Sequence, residues 1–347
     1  MGRLIKVWQI AAAYIGTIVG AGFASGQEII QFFTSYGEWG ALAAVISALL
    51  MAWIGTKMMI YSHRIRAYSF NELLEHLFGK TLGLAIECLL FLIVFGMTAV
   101  MLAGSGAVFR EHLTGGRQTG MLLILAISVY FLCRGTRGLL SINALVVPVV
   151  ILFFAMIAFK SGLHGFPIAI HSDWRNHWLG SSLRYASFNL LTALVVLVPL
   201  ASDSEDEWVL RAGGWAGGIG LGLLLLVAHL LLLLHPEAQP YEMPMAELVR
   251  PLGMFMHGGF ALVIFGEILT TFVGNVYGLS RQLHSAFPAQ LNLSLALLLL
   301  IISTYCVAQI GYTMLLSTLY PIYGSLCALI FIYLIFVKLP AKPAIRH

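Results

Sequence analysis

The sequence is dominated by apolar stretches that are long enough to cross a lipid bilayer, and their pattern repeats after about half of the chain. Of the 347 residues, 60% are apolar and only 10% are charged, and the mean hydropathy is +0.91. A transmembrane helix needs about 20 mainly apolar residues. A transmembrane β-barrel would instead show alternating segments of about 10 residues, and the sequence has no such pattern. The sequence therefore predicts an all-α, polytopic membrane protein.

Ten transmembrane helices are predicted from the apolar stretches, and they form two sets of five. They cover residues 5–33, 38–61, 81–109, 119–133, 138–160, 181–202, 208–234, 254–280, 290–308 and 311–337. Shifting the first five by about 173 residues overlays them on the second five, and the amphipathic segments 69–78 and 243–252 follow the same spacing. Because five is odd, the second set must enter the membrane from the opposite side. We therefore predict one domain over residues 1–347, built as a 5+5 inverted repeat of residues 5–160 and 181–337.

Two of the predicted helices, the first and the sixth, contain sequence that favours a break partway across the membrane. The first break is the glycine-rich segment 20–26, and the second lies near 187–189. Unpaired backbone groups are costly in hydrocarbon, so irregular backbone at membrane depth is expected only where it lines a cavity. Breaks at corresponding places in two halves are typical of a transporter substrate site.

The basic residues predict how the chain lies in the membrane. Both ends of the chain are basic, and with the N-terminus inside, most of the 19 lysines and arginines fall on the cytoplasmic side. Both termini are therefore expected in the cytoplasm. The basic residues are scattered and do not form a nucleic-acid-binding groove. The four cysteines lie in apolar stretches without a CxxC pair, so neither a disulfide framework nor a zinc site is indicated.

The segment from Gly16 to Glu28, read Gly-Thr-Ile-Val-Gly-Ala-Gly-Phe-Ala-Ser-Gly-Gln-Glu, closely resembles that of bacterial YkvI-type membrane proteins. That group resembles the amino acid–polyamine–organocation superfamily, whose members share the leucine-transporter fold. The resemblance extends over the whole chain in length and number of helices. It implies ten helices in a bacterial plasma membrane, with helices one and six broken, and a central site that faces helices three and eight. It does not supply a substrate.

The first break predicts a site for a small zwitterion. Free N–H groups where the outer half of a broken helix begins attract an anion, and here they are expected from the amides of residues 24–27. Carbonyls released near 188–189 would accept from an amine, and Glu28 could hold that amine or pair with Arg184. Packing of glycines against neighbouring helices is the alternative interpretation. The predicted substrate-binding residues are Gly20, Ala21, Gly22, Phe23, Ala24, Ser25, Gly26, Glu28, Phe188 and Asn189.

A candidate ion site lies in the eighth predicted helix. Spacing of three and four places a carboxylate and two hydroxyls on one helical face, and carbonyls from the loosened first helix could complete the oxygen shell. The resemblance implies a sodium site between helices one and eight that uses a pair of hydroxyl residues, whereas the acid departs from that pattern and could carry a proton. Some proton-coupled relatives place a lysine in helix five near this site, whereas the inner half of the fifth predicted helix has no lysine here, which mildly favours sodium. The candidate ligands are Gly16, Val19, Glu267, Thr270 and Thr271.

These patterns together predict an ion-coupled secondary transporter of a neutral amino acid or a similar solute, with no cofactor apart from Na⁺ as a coupling ion. A nutrient-sensing membrane receptor that keeps the same fold is the alternative. No convergent set of nucleophile, base or metal ligands indicates an enzyme, and no segment indicates a channel selectivity filter. The acidic residues after the sixth helix, 203–207, could pair with Arg64 or Arg66 and form a gate, or could simply be solvated.

Overall fold

The structure is a computed structural model that describes residues 2–134, 137–161, 177–202, 204, 206–287 and 289–341. Within these residues all regular structure is helical, as predicted. The α-helices in chain order are α1 (Gly2–Ile18), α2 (Ala21–Ser25), α3 (Gln27–Phe32), α4 (Trp39–Ile65), α5 (Phe70–Glu111), α6 (Arg117–Arg134), α7 (Arg137–Ser161), α8 (Trp178–Ser202), α9 (Glu207–Leu234), α10 (Pro244–Val249), α11 (Met254–Ala286), α12 (Leu293–Ala308) and α13 (Tyr312–Phe336).

Six of these helices are long and apolar enough to cross a membrane, judged by length and composition: α4, α5, α8, α9, α11 and α13. Shorter apolar helices lie within α6, α7 and α12. The first predicted helix is divided into α1, α2 and α3. Each of the ten predicted spans therefore coincides with helical structure.

The predicted break in the sixth helix is wrong. Helix α8 runs without interruption from Trp178 to Ser202. Its central polar side chains bond to backbone carbonyls of the preceding turn: Asn189 Nδ2 donates to Tyr185 O at 3.2 Å, and the Thr192 hydroxyl donates to Phe188 O at 3.1 Å. Such bonds satisfy a buried polar side chain while the helix continues. Because no glycine or proline lies at the centre of α8, nothing there interrupts the backbone ladder.

Two amphipathic segments precede long spans in the same manner. Helix α5 starts with the N-cap Ser69, whose hydroxyl accepts from the Glu72 amide at 3.2 Å, and it kinks at Gly79, where φ is 74°. Before α11, the short helix α10 is followed by a 3₁₀ turn and by Gly253, where φ is 103°. A positive φ favours glycine because it lacks a Cβ, so a glycine turns the chain from the amphipathic segment into the span at both places.

The helices pack in two groups. In the first, α9 packs along α1 and α4, and α4 packs along α8. A Cβ added at Gly218 would lie 2.4 Å from the Ala52 Cβ, so glycines allow α9 and α4 to approach closely. The Tyr14 hydroxyl donates to Met51 O at 2.6 Å and ties α1 to α4. In the second group α11 packs against α5, α7 and α12, while α13 joins the two groups by packing on α8 and α5.

Candidate substrate and ion site

The first helix is interrupted at Val19 and Gly20, as predicted. Helix α1 ends at Ile18, and the Gly20 backbone is extended, with φ −110° and ψ −169°. The Gly20 amide donates to Ile18 O at 2.9 Å and thus not to Gly16 O, its acceptor in an uninterrupted helix. Helix α2 then begins at Ala21 without a side-chain cap. The interruption therefore leaves backbone polar groups without their helical partners in the interior of an apolar protein.

The free amides lie earlier than predicted, so the expectation for residues 24–27 needs correction. The amides of Ala24 and Gly26 donate to Gly20 O and Phe23 O at 2.9 and 3.0 Å, and the Gln27 amide approaches the Ser25 hydroxyl at 3.3 Å. The amides without an intrahelical acceptor are those of the first turn of α2, at residues 21–23. The helix restarts sooner after the break than the glycine pattern suggested.

Two glycines of the predicted motif shape the chain around Glu28. Gly26 separates α2 from α3 with φ 90°, a conformation that favours glycine. A Cβ at Gly22 would lie 2.0 Å from Glu28 Oε1, so the Glu28 carboxyl group occupies the space that a side chain at position 22 would fill. The turn at Gly26 thereby folds the acid at the start of α3 back over α2.

Glu28 is buried among three tyrosines. Glu28 is 5% exposed, and its Oε2 atom has no hydrogen-bond partner among the described residues. Tyr185 of α8 and Tyr312 and Tyr320 of α13 are at most 1% exposed and lie close enough to interact electrostatically with the carboxyl group. Buried polar groups are nearly always hydrogen-bonded, so an unpaired acid here indicates a position for a polar or charged guest.

The tyrosine hydroxyls differ in how they are satisfied. The Tyr312 hydroxyl lies 2.8 Å from the hydroxyl of Ser25 in α2. The hydroxyls of Tyr185 and Tyr320 have no partner in the described part of the chain. We call these three tyrosines and the nearby acid the tyrosine cluster (Glu28, Tyr185, Tyr312 and Tyr320). Among the described residues it holds three polar atoms without a partner: Glu28 Oε2 and the hydroxyls of Tyr185 and Tyr320.

The two phenylalanines predicted for the substrate site lie in different surroundings. Phe188 is buried, with its ring centroid 4.9 Å from that of Tyr320, so it adjoins the cluster. Phe23 instead stacks on Phe154 of α7 at 5.8 Å. The pairing of Glu28 with Arg184 does not form among the described residues: the Arg184 Nε donates to Gly180 O at 3.2 Å.

At the candidate ion site, Glu267 carries a buried and unpaired oxygen. The residue is 2% exposed, and Oε1 has no hydrogen-bond partner in the described ranges. The Thr270 hydroxyl donates to Glu267 O at 3.1 Å, which is the local bond common in membrane helices, and Thr271 is half-buried. Helix α11, which carries these residues, packs against α2 next to the break. Val19 is fully buried there.

An ion pair closes the end of the molecule where α4 ends and α9 begins. The Arg64 guanidinium donates to both carboxylate oxygens of Glu207, at 2.8 and 3.2 Å, and the two side chains are 11% and 17% exposed. Arg64 also donates to Pro340 O at 2.7 Å. Of the acids in segment 203–207, Glu207 therefore pairs with Arg64, which was one of the two predicted alternatives. Asp203 and Glu205 lie outside the described residues.

The tyrosines were missed by the sequence analysis. Tyr185, Tyr312 and Tyr320 lie in predicted membrane helices, and an aromatic residue in an apolar helix is most often a packing residue. The sequence feature that could have indicated them is the presence of three hydroxyl groups within two predicted membrane helices. Only packing of α8 and α13 against α3 places these hydroxyls around one acid.

Comparison with known proteins gives relatives in sequence and in structure. No family model matches the chain. It is 37% identical over 326 residues to the membrane protein YkvI of Bacillus subtilis (strain 168), covering 91% of both chains, and 28% identical over 331 residues to YyaD of the same organism, covering 94% of this chain and 96% of YyaD.

Several solved structures similar to this one are transporters. A Na⁺-coupled sialic acid symporter aligns with a TM-score of 0.62 and 14% identity over 96% of this chain and 79% of its own. A manganese transporter of Eremococcus coleocola aligns with a TM-score of 0.59 and 16% identity, over 94% of this chain and 77% of the manganese transporter. The transporter Mhp1 in its inward-facing conformation aligns with a TM-score of 0.56 and 13% identity, over 92% of this chain and 73% of Mhp1. The chain shares the fold of these leucine-transporter-fold proteins, and by its identity to YkvI it belongs to the YkvI family of bacterial membrane proteins.

Proposed function

We propose that the protein is an ion-coupled secondary transporter of a small zwitterionic solute, such as a neutral amino acid. The observation that carries this proposal is the buried carboxyl group of Glu28 near the interrupted first helix, whose Oε2 atom has no hydrogen-bond partner among the described residues. An ionisable group at membrane depth is costly and is usually functional. The fold shared with ion-coupled transporters supports the same interpretation.

In this proposal the substrate lies between the first helix break and the tyrosine cluster. Its amine pairs with Glu28, whose Oε2 atom has no hydrogen-bond partner in the described part of the chain. Its carboxylate meets the free amides of residues 21–23, where the partial positive charge of a helix start favours an anion. The hydroxyls of Tyr185 and Tyr320 supply the remaining hydrogen bonds, and Phe188 provides an apolar wall.

The coupling ion is proposed to bind where α11 packs on the break. Sodium prefers oxygen ligands, and Glu267 Oε1, the Thr270 and Thr271 hydroxyls, and the carbonyls of Gly16 and Val19 would supply them. The available groups fit this role in two respects. Gly16 O does not accept from the Gly20 amide, which donates to Ile18 O instead, and Glu267 Oε1 is buried without a hydrogen-bond partner within the described residues. Sodium rather than a proton is the ion that this oxygen set favours.

The proposed topology has ten spans in a bacterial plasma membrane, both termini in the cytoplasm, and an inverted repeat. Two structural features support the repeat. Gly79 and Gly253, each with positive φ, lie 174 residues apart at the start of corresponding spans. Pro148 and Pro321 lie within α7 and α13, which also correspond. Alternating access would then move α1, α4, α8 and α9 against the remaining helices, with the Arg64–Glu207 pair closing the cytoplasmic end.

Two measurements on the purified protein test the proposal. A thermal-shift screen of amino acids, with and without sodium, should show a substrate-dependent increase in Tm that requires sodium, because a ligand stabilises the state that it binds. Counterflow in proteoliposomes should then occur with the same substrate. The Glu267→Gln variant should lose sodium-driven accumulation, whereas Glu75→Gln, which changes an exposed acid, should keep it.

The outcomes separate this proposal from the receptor alternative. Binding of an amino acid without any counterflow would favour a nutrient sensor. Full sodium-driven accumulation by the Glu267→Gln variant would contradict the role given to that acid in coupling.

A further inference from the structure

A second candidate site lies far from the tyrosine cluster, at the end of the molecule that carries the Arg64–Glu207 pair. It is a cavity of about 390 Å³ between the last turns of α4, the first turns of α9 and the segment after α13. Its lining residues are Trp53, Thr56, Lys57, Ile60, Arg211, Trp215, Lys338 and Leu339. Three of these described residues are cations and none is an acid.

The three cations keep much of their binding capacity. Lys57 Nζ donates to Leu334 O and Ile335 O at 2.9 and 2.8 Å, which uses two of its three N–H groups. Lys338 forms no ion pair with any described residue. Arg211 donates to Glu207 Oε1 at 3.3 Å, but Arg64 donates to the same carboxylate, so two cations share one acid. The cavity therefore holds uncompensated positive charge.

The aromatic and apolar residues of the lining are of the kind found at a membrane interface. Trp53 and Trp215 are 45% and 38% exposed. Tryptophan is enriched where the hydrocarbon of a membrane meets the lipid headgroups. Ile60 and Leu339 add apolar side chains to the lining. A ligand here would meet both cations and apolar side chains.

We propose that this cavity binds the headgroup of an anionic phospholipid. The phosphate would lie between Arg211 and Lys338, within reach of the third N–H group of Lys57, and the acyl chains would run along Trp53 and Trp215. Lys57 already ties α4 to the end of α13. The lipid adds a second link among α4, α9 and the segment that follows α13. This site is separate from the proposed substrate site and does not depend on transport.

The test uses the full chain in detergent, with native mass spectrometry and thermal shift as readouts. Phosphatidylglycerol and phosphatidylcholine with the same acyl chains are added separately. The wild type should retain one phosphatidylglycerol in preference to phosphatidylcholine and gain thermal stability with it. The double variant Arg211→Gln/Lys338→Gln should bind phosphatidylglycerol about 30-fold more weakly, as expected for removing two cations that each attract an anionic lipid surface.

A matched control changes a basic residue elsewhere on the surface. Lys80 is 89% exposed in its side chain and lies on α5, away from the cavity lining, so Lys80→Gln should bind phosphatidylglycerol as the wild type does. Equal binding of both lipids, unchanged affinity of the double variant, or equal weakening by Lys80→Gln would each overturn the proposal. Inorganic phosphate that stabilises the wild type as much as phosphatidylglycerol would instead identify a site for a free anion.

Discussion

The hydroxyl oxygens of Ser25 and Tyr312 lie 2.8 Å apart, and this contact joins the interrupted first helix to the last helix of the chain. Ser25 is fully buried and Tyr312 is 1% exposed, so water does not compete for the bond. Because the two residues flank Glu28, the contact also fixes one side of the tyrosine cluster. Removing the tyrosine hydroxyls one at a time therefore distinguishes those that stabilise the fold from those that bind substrate.

Tyr312→Phe and Tyr320→Phe are predicted to differ in stability without substrate. Tyr312→Phe removes a buried hydrogen bond and should cost about 1 kcal/mol, seen as a lower Tm. The Tyr320 hydroxyl has no partner in the described residues, and deleting an unsatisfied buried hydroxyl should leave Tm unchanged or raise it. Tyr320→Phe should nevertheless weaken substrate binding. A lower Tm for Tyr320→Phe than for Tyr312→Phe would contradict these assignments.

Gly22→Ala is predicted to be far more damaging than Gly20→Ala. A Cβ at position 22 would lie 2.0 Å from Glu28 Oε1, whereas nothing lies within 4 Å of a Cβ at position 20. Displacing the Glu28 side chain should cost about 1–3 kcal/mol and abolish substrate-dependent thermal shifts. Gly20, with φ −110°, can accept alanine without backbone strain. Comparable Tm values for the two variants would show that Glu28 does not occupy this space.

Glu28→Gln is predicted to lose transport without losing stability. The carboxyl group is buried without a basic partner among the described residues, and an uncompensated charge in a buried site is destabilising. A neutral amide of the same shape should therefore keep or raise Tm, while it cannot pair with a substrate amine. Counterflow should fall at least about tenfold, the effect of losing roughly 1.4 kcal/mol of interaction. Unchanged counterflow would exclude Glu28 from substrate binding.

Arg64→Gln is predicted to weaken closure of the end of the molecule that carries the Arg64–Glu207 pair. The Arg64–Glu207 pair is bidentate and largely shielded from solvent, so removing one partner should cost about 1–3 kcal/mol. Tm should fall, and a cysteine introduced near this end should react faster with a water-soluble thiol reagent. The exposed pair of Lys80 and Glu75, at 3.7 Å, provides the comparison, because Lys80→Gln should change neither measurement. Equal effects of the two substitutions would contradict a closing role for Arg64.

Much of the fold was predictable from local sequence. Apolar runs of about 20 residues predict helices in a membrane because hydrocarbon leaves the backbone no other partner than itself. The break in the first helix was predictable from the spacing of Gly16, Gly20, Gly22 and Gly26, since glycine lowers the cost of leaving the helical conformation. The break predicted at 187–189 was wrong because Asn189 and Thr192 bond to carbonyls of their own helix, a choice that composition does not reveal.

The sequence by itself determined the helical membrane architecture, the interruption at Gly20 and the presence of the acids Glu28 and Glu267 within apolar segments. The tertiary structure alone decided which groups surround those acids. Tyr185 and Tyr312 are 127 residues apart in the chain, and no local pattern specifies that both face Glu28. Helical periodicity fixes the face on which a side chain lies, whereas the partner of that face depends on how distant helices pack.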